Sequence, residues 1–147
     1  MSNSTAPNQA TSNQVTSNQA TISIAGITEP TILRYFERLN AADFEAASQL
    51  FAAEGVMNAP FEPPLVGPEA IAAYLQKEAA GMVLQPEQGI TEEVDNNYLQ
   101  AQVAGKVQTP WFSVNVSWLF ILDAQERITS VTVKLLASPQ ELLNLQR

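Results

Sequence analysis

Cysteine and histidine are both absent from the 147 residues of the sequence. The lack of cysteine excludes disulfides and thiol nucleophiles. The lack of histidine removes imidazole bases and, together with the missing cysteine, ordinary zinc sites. Basic residues are also few, since 7 Lys and Arg stand against 15 Asp and Glu, a formal net charge of −8. Because phosphate binding needs a basic face, the sequence does not favour a nucleic-acid-binding protein.

Long apolar runs are missing as well. No run approaches the roughly 18–20 residues that a membrane-spanning helix needs. The first residues do not combine a basic segment with an apolar one, as a secretory signal would. The acidic charge disfavours binding to anionic membrane surfaces. These features predict a soluble protein of the cytoplasm.

The first 26 residues carry no charge and contain a five-residue repeat, NQATS, NQVTS, NQAT, which starts at Asn8. Such a polar tract buries too little apolar surface to offset the entropy lost on ordering. We therefore predict a disordered polar tail over residues 1–26 and one folded domain over 27–147. A domain of that length can bury most of a core.

Three helical patterns occupy the first half of this domain. The predicted helices cover residues 28–40, 43–55 and 68–81, with Thr28 and Asp43 as the N-caps of the first two. Four prolines in the stretch NAPFEPPLVGPEA exclude a regular helix or a central strand before the third helix begins. The prediction for the first half is therefore helical throughout, apart from this proline-rich connection.

After Gly81 the apolar period changes from helical to alternating. Odd positions are apolar from Leu99 to Trp111, which predicts a strand whose dry face ends on Trp111, and even positions are apolar over 114–122. A turn or bulge near 112–114 would bring both tryptophans to the same side. A third strand is predicted over 128–136. The letters SPQE then form a capping box that predicts a short last helix.

Helices followed by antiparallel strands indicate an α+β fold, in which a curved sheet wrapped by helices leaves a cone-shaped pocket. Tyr35 on the first helix and Trp118 on the sheet are predicted to face this pocket. Their O–H and N–H groups suit an acceptor such as a ketone oxygen. The remaining candidate lining is apolar and suits a long apolar ligand; it comprises Leu39, Met82, Val107, Trp111 and Val133. As an alternative, both residues could be ordinary core residues whose polar ends are satisfied.

Four segments carry a family resemblance. They read TILRYFERLNAADFEAASQLFAAEG, PPLVGPEAIAAYL, GKVQTPWF and LLASPQELLNLQR, and together they span nearly all of 27–147. On these segments the chain resembles free-standing homologues of the C-terminal domain of the cyanobacterial orange carotenoid protein. The resemblance implies the nuclear transport factor 2-like fold, in agreement with the α+β cone.

The resemblance also implies which residues hold a pigment. In that family a tyrosine on the first helix and a tryptophan on the sheet hydrogen-bond the keto oxygen of a bound ketocarotenoid, of the canthaxanthin or echinenone type. The strings LRYFERLN and SWLF place Tyr35 and Trp118 at these two positions. Trp111 matches a tryptophan that packs on the carotenoid, and Thr109 and Pro110 precede it in the same motif.

The sequence departs from the two-domain family members in the tryptophan region. The stretch between the tryptophans is shorter, so we expect a tighter hairpin, and Lys134 replaces an acid. Glu78 matches a carboxylate that pairs with an arginine of the helical domain in those proteins. A solvated helix charge is the alternative interpretation of Glu78.

Size and resemblance together suggest partners. A domain of 121 residues has a radius of gyration of about 14 Å, whereas a ketocarotenoid is roughly 25–30 Å long. About half of the pigment should therefore protrude, and a second copy would cover it in a homodimer that shares one carotenoid. A helical carotenoid-binding protein is the expected transfer partner, and pigment uptake would involve a transient membrane contact. We expect a carrier that also quenches singlet oxygen in photoprotection.

Two other functions stay open at this point. The fold also hosts isomerases and hydrolases that act on apolar substrates, but these need an acid or base in the pocket. The predicted dry faces carry none, so we expect no enzyme. A pigment-free protein-interaction module is the third option, and a closed pocket would favour it.

Overall fold

The computed structural model describes residues 22–136. These residues form three α-helices and six strands. The elements are α1 (Pro30–Asn40), α2 (Phe44–Ser48), β1 (Phe51–Asn58), β2 (Leu65–Val66), α3 (Pro68–Glu78), β3 (Val83–Val94), β4 (Tyr98–Gln108), β5 (Ser113–Leu122) and β6 (Ile128–Leu136). The predicted last helix lies outside the described residues.

The six strands form one sheet in the order β2-β1-β6-β5-β4-β3. All neighbours pair antiparallel except β1 and β6, which are parallel. Residues of all three helices join the inner sheet residues in one apolar core. This arrangement confirms the predicted α+β fold.

Helix α1 places the residues that matter most for the interior. Ile32, Tyr35 and Phe36 are buried because they recur on one face of the helix. The predicted Thr28 cap is wrong: the N-cap is Glu29, which makes no side-chain capping bond, and Pro30 begins the helix with its fixed φ.

Asn40 fixes the last turn of α1 to the start of β3. Its amide accepts a hydrogen bond from the Leu84 N–H at 2.7 Å and donates one to the Leu84 carbonyl at 2.9 Å. The side chain thus replaces a strand partner for one residue of β3. These two bonds fix the C-terminal end of α1 against Leu84 of β3.

The second predicted helix is too long. Asp43 does cap α2, since its carboxylate accepts the Ala46 N–H, but α2 ends at Ser48 and residues 51–58 form strand β1. Parallel pairing with β6 decides this segment, because tertiary pairing overrides a local helical pattern. A side chain on Gly55 would meet the carbonyl oxygen of Ile128 at 2.7 Å.

The alternation predicted for β4 and β5 is confirmed. Val103 of β4 pairs with Trp118 of β5, which pairs in turn with Val133 of β6, and all three belong to the inner face. The end of the first strand is wrong, however. Strand β4 stops at Gln108, and Trp111 is 83% exposed in the connection to β5 rather than on a dry face.

Residues 22–26 pack onto the domain, five residues before the predicted boundary. Ile24 is buried, and the backbone of Ala25 forms a bridge to Gln88 of β3. Gly26 has a φ of +89°, and a Cβ there would collide with the carbonyl oxygen of Gly89. Within the described part of the chain, the packed unit therefore includes residues 22–26.

Candidate functional site

A cavity of about 290 Å³ opens between α1, α3 and the inner face of the sheet. Its wall is mostly aliphatic and aromatic. Seven of the nine residues predicted to bind a ligand line it: Tyr35, Leu39, Met82, Val107, Thr109, Trp118 and Val133. The other two predicted residues, Pro110 and Trp111, do not line it.

Two polar groups are buried in the cavity wall. Tyr35 and Trp118 are each 1% exposed, and both pack edge-on around Phe36, with ring centroids 5.3 and 4.8 Å from it. Within residues 22–136, neither the Tyr35 hydroxyl nor the Trp118 indole N–H takes part in a hydrogen bond. Buried donors in proteins are nearly always paired. We therefore expect these two groups to donate to an acceptor that binds in the cavity.

The Tyr35 hydroxyl is held in its protonated form. Burial raises the pKa of Tyr35 well above its ordinary value of 10.0, and the nearby Tyr74 adds to the shift. Burial also raises the pKa of Tyr74, with the carboxylates of Glu62 and Glu78 contributing further. Both phenols are therefore neutral donors at neutral pH.

These shifts predict a loss of stability at alkaline pH. Above pH 10 the unfolded chain releases the Tyr35 proton while the folded protein retains it. The unfolded state then binds fewer protons, so the free energy of unfolding falls by up to about 1.4 kcal/mol per pH unit for this one group. Urea unfolding from pH 9 to 11.5 measures the slope.

The variant Tyr35→Phe should lose most of this slope, because it removes the phenol that the folded protein holds neutral. Tyr74→Phe, at a half-buried phenol, is the comparison and should lose less. Identical slopes in the wild type and Tyr35→Phe would show that Tyr35 ionises in the folded protein.

The mouth of the cavity is apolar and exposed. We define the mouth residues as Phe61, Phe112 and Leu135, which line the cavity and are 94%, 58% and 50% exposed. Phe61 lies in the connection from β1 to β2, Phe112 in the connection from β4 to β5, and Leu135 near the end of β6. An apolar ligand deep in the cavity would pass these side chains on its way out.

Thr109 shapes the hairpin at the mouth. Its hydroxyl oxygen accepts the N–H groups of Trp111 at 3.2 Å and Phe112 at 3.0 Å, and the hydroxyl donates to the Phe112 carbonyl at 3.0 Å. This local bonding closes a tight connection over 109–112, rather than at the predicted 112–114. It presents Trp111 to solvent beside the mouth.

Several lining residues escaped the sequence interpretation. Met57 was missed because it follows the predicted helix 43–55 and no strand was predicted there. Phe61 was missed because the proline-rich stretch around it shows no periodic pattern. Tyr74 was also missed, although it stands four residues before Glu78 on α3, a spacing that places both on one helix face. Glu78 was singled out for pairing with an arginine but not as a lining residue. Glu78 also brings a carboxylate into the lining, although the predicted dry faces carried none.

The fold is shared with known proteins. The family model of the SnoaL-like domain matches residues 32–130, and the chain therefore belongs to the SnoaL-like family. A solved nuclear transport factor 2-like protein of unknown function from Cytophaga hutchinsonii is 19% identical over 83% of this chain and 99% of its own, with a TM-score of 0.60. At that identity the likeness shows the fold alone, and it agrees with the predicted fold.

Two relatives with higher sequence identity are orange carotenoid proteins. The chain is 42% identical to the orange carotenoid-binding protein of Synechocystis sp., over 86% of this chain and 41% of the relative. The solved orange carotenoid protein of Anabaena (Nostoc) sp., binding canthaxanthin, is also 42% identical, with a TM-score of 0.80 over 87% of this chain and 42% of its own. The chain thus spans about two fifths of these relatives, and the predicted resemblance is confirmed.

Among the described residues, no helix is both long and apolar enough to cross a membrane.

Proposed function

We propose that the protein binds a ketocarotenoid in the cavity, with the keto oxygen accepting hydrogen bonds from the Tyr35 hydroxyl and the Trp118 indole N–H. The observation that carries this proposal is the pair of buried donors in one apolar cavity, unpaired among the described residues. A ketone oxygen can accept from both and brings no proton that would need a partner. Similarity to carotenoid-binding proteins, one of them holding canthaxanthin, supports the same ligand class.

The cavity size limits how much of the pigment it can hold. Its volume of about 290 Å³ lies just below the range of about 300–1,000 Å³ for ligand pockets. That volume suits an end ring and the start of the polyene, so the remainder must emerge between the mouth residues. Apolar burial at about 25 cal/mol/Å² then supplies most of the affinity, and the two hydrogen bonds set the position of the ring.

The emerging half of the pigment needs a second cover. A second copy of the chain is the simplest one, because a twofold axis places an equal cavity on the other end of the molecule. We propose a homodimer that shares one ketocarotenoid, works in the cytoplasm and passes the pigment to a helical carotenoid-binding protein. Pigment uptake would involve a transient contact of the mouth residues with a membrane. The bound pigment would quench singlet oxygen, which is a contribution to photoprotection.

An enzyme of the same fold is the competing function. Glu78 is the one acid among the described residues that line the cavity, and Tyr74 lies beside it on α3. The carboxylate of Glu78 is exposed, however, whereas general acid–base groups are tuned by burial and by charged neighbours. Apo protein that turned over an apolar ketone, with activity lost in Glu78→Gln, would replace the carrier proposal.

Expression in a host that makes canthaxanthin tests the proposed function. The purified protein should carry a red-shifted carotenoid band on a peak with the size of a dimer. The same chain from a host without carotenoids is the control and should be colourless. A colourless protein from the pigmented host that also refuses canthaxanthin from vesicles would refute carotenoid binding and favour an interaction module.

A further inference from the structure

The backbone at Phe61 is in an unusual conformation. Residues 59–62 form a turn, in which the Glu62 N–H donates to the Ala59 carbonyl at 3.3 Å, with Pro60 in the second position. Phe61 follows in the third position with a φ of +66°. Proline before a residue of positive φ is the pattern of a type II turn, whose third position strongly favours glycine. A bulky aromatic residue is therefore unfavourable at this point.

Among the described residues, burial of the Phe61 side chain does not offset this strain. The Phe61 side chain is 94% exposed, so it adds almost no burial to the core, although it lines the cavity mouth. Pro60, Pro63 and Pro64 hold the surrounding loop by their fixed φ angles. Strained positions that persist without a packing reason occur mostly at binding sites, where the strain serves to position a group.

We propose that Phe61 is a positioning residue for the pigment, and that it packs on the polyene where this leaves the cavity. The inference rests on the proposed function and adds a second point of attachment to it. Tyr35 and Trp118 hold the ring in the interior, and Phe61 holds the chain at the mouth. Phe112, the other aromatic mouth residue, also lines the cavity.

A polyene explains these observations because it is apolar, extended and present at the mouth whenever the ring is bound. An apolar chain gains free energy when it packs against an exposed phenyl ring, because both surfaces are removed from water. A ligand that ended inside the cavity would leave Phe61 in water and its strained backbone without a role. Phe61 thus makes the site selective for long apolar ligands over short ones that carry the same ketone ring.

Three variants separate the backbone from the side chain. Phe61→Gly and Phe61→Ala both remove the ring, but only glycine adopts the positive φ without strain. We expect the glycine variant of the apo protein to melt about 2–4 °C above the alanine variant, the reverse of the usual order of these residues. Phe61→Leu keeps apolar bulk and is the matched control for retention.

Ligand release tests the position of the contact. Canthaxanthin should dissociate about tenfold faster from the glycine and alanine variants than from the wild type, and less than about threefold faster from Phe61→Leu. The short ketone-ring analogue 4-oxo-β-ionone should bind all four proteins with similar affinity, since it does not reach the mouth. In Trp118→Phe, by contrast, both ligands should bind more weakly.

Each contrary result has a defined meaning. If the protein binds the pigment but the wild type and the glycine variant release canthaxanthin at equal rates, the role of Phe61 would be overturned and the proposed function would stand. Faster release accompanied by loss of the dimer would assign Phe61 to a contact between copies and would overturn it too. Wild-type protein that binds neither ligand would refute the proposed function and this inference together.

Discussion

Replacing Tyr35 and Trp118 together by phenylalanine is expected to weaken ketocarotenoid binding by about 2 kcal/mol, or roughly 30-fold in Kd. The substitution removes both donors and leaves the aromatic character of the cavity wall in place. Because the carbonyl is conjugated with the polyene, the absorption band of the bound pigment should shift as well. Titration of apo protein with canthaxanthin, followed by visible absorption, measures both effects.

The single variants divide this effect between the two donors. Each should lose about 1 kcal/mol if the hydrogen bonds act independently. A loss in the double variant that is smaller than the sum of the two single losses would show that they position the ketone together. Tyr98→Phe is the matched control, because Tyr98 lies at the start of β4 and does not line the cavity. Unchanged spectra and affinity in the double variant would show that neither residue hydrogen-bonds the carbonyl.

The apo protein should respond to Tyr35→Phe in the opposite direction. The Tyr35 hydroxyl is buried and has no hydrogen-bond partner among residues 22–136. Such a group costs free energy in the folded state, and its removal is neutral or stabilising by up to about 1 kcal/mol. The same substitution is thus expected to weaken pigment binding without weakening the fold. Destabilisation by more than about 1 kcal/mol would mean that the hydroxyl is hydrogen-bonded within the apo protein.

Phe36→Ala is expected to lower the free energy of unfolding by about 3–5 kcal/mol, a large share of the roughly 5–15 kcal/mol that stabilise a typical domain. Phe36 is fully buried and packs edge-on against Tyr35, Trp118 and Phe120. Truncation removes these contacts and leaves a void at the centre of the core. Urea unfolding of the apo protein, monitored by tryptophan fluorescence, measures the loss.

Phe36 also packs against both donor residues, so its removal should disturb the site. We expect any pigment bound by Phe36→Ala to have a broadened band, since Tyr35 and Trp118 lose their common neighbour. Phe36→Leu fills most of the space and should cost less than half as much stability. A cost below about 1 kcal/mol for the alanine variant would contradict the central position of Phe36 in the core.

Local patterns were sufficient for much of the fold and for the two donors. Alternation placed Trp118 on the inner face of β5 because successive side chains of a strand must point to opposite faces. Helical spacing placed Tyr35 and Phe36 in the interior for a similar geometric reason. The absence of histidine and cysteine likewise restricted the chemistry of the site, because no imidazole or thiol is available to it.

Other features were outside the reach of local patterns. The predicted helix 43–55 included residues 51–55, yet these residues belong to β1 because a parallel partner, β6, is available to them. Strand β3 shows no regular alternation, since much of its length is exposed at the sheet edge and only pairing with β4 defines it. Backbone hydrogen bonds across the sheet decide such segments, and those bonds join residues far apart in sequence.

The mouth of the cavity depended most on tertiary structure. Trp111 continues the alternating pattern of β4, but the Thr109 hydroxyl ends the strand and turns Trp111 into solvent. The sequence around Phe61 shows no periodic pattern of apolar residues. The role of Phe61 is inferred from its positive φ and from its exposed ring beside the cavity. The buried walls could thus be predicted from the order of the residues, because burial imposes a periodic pattern on them. The opening could not, because loops from distant strands meet there and no pattern is imposed on their residues.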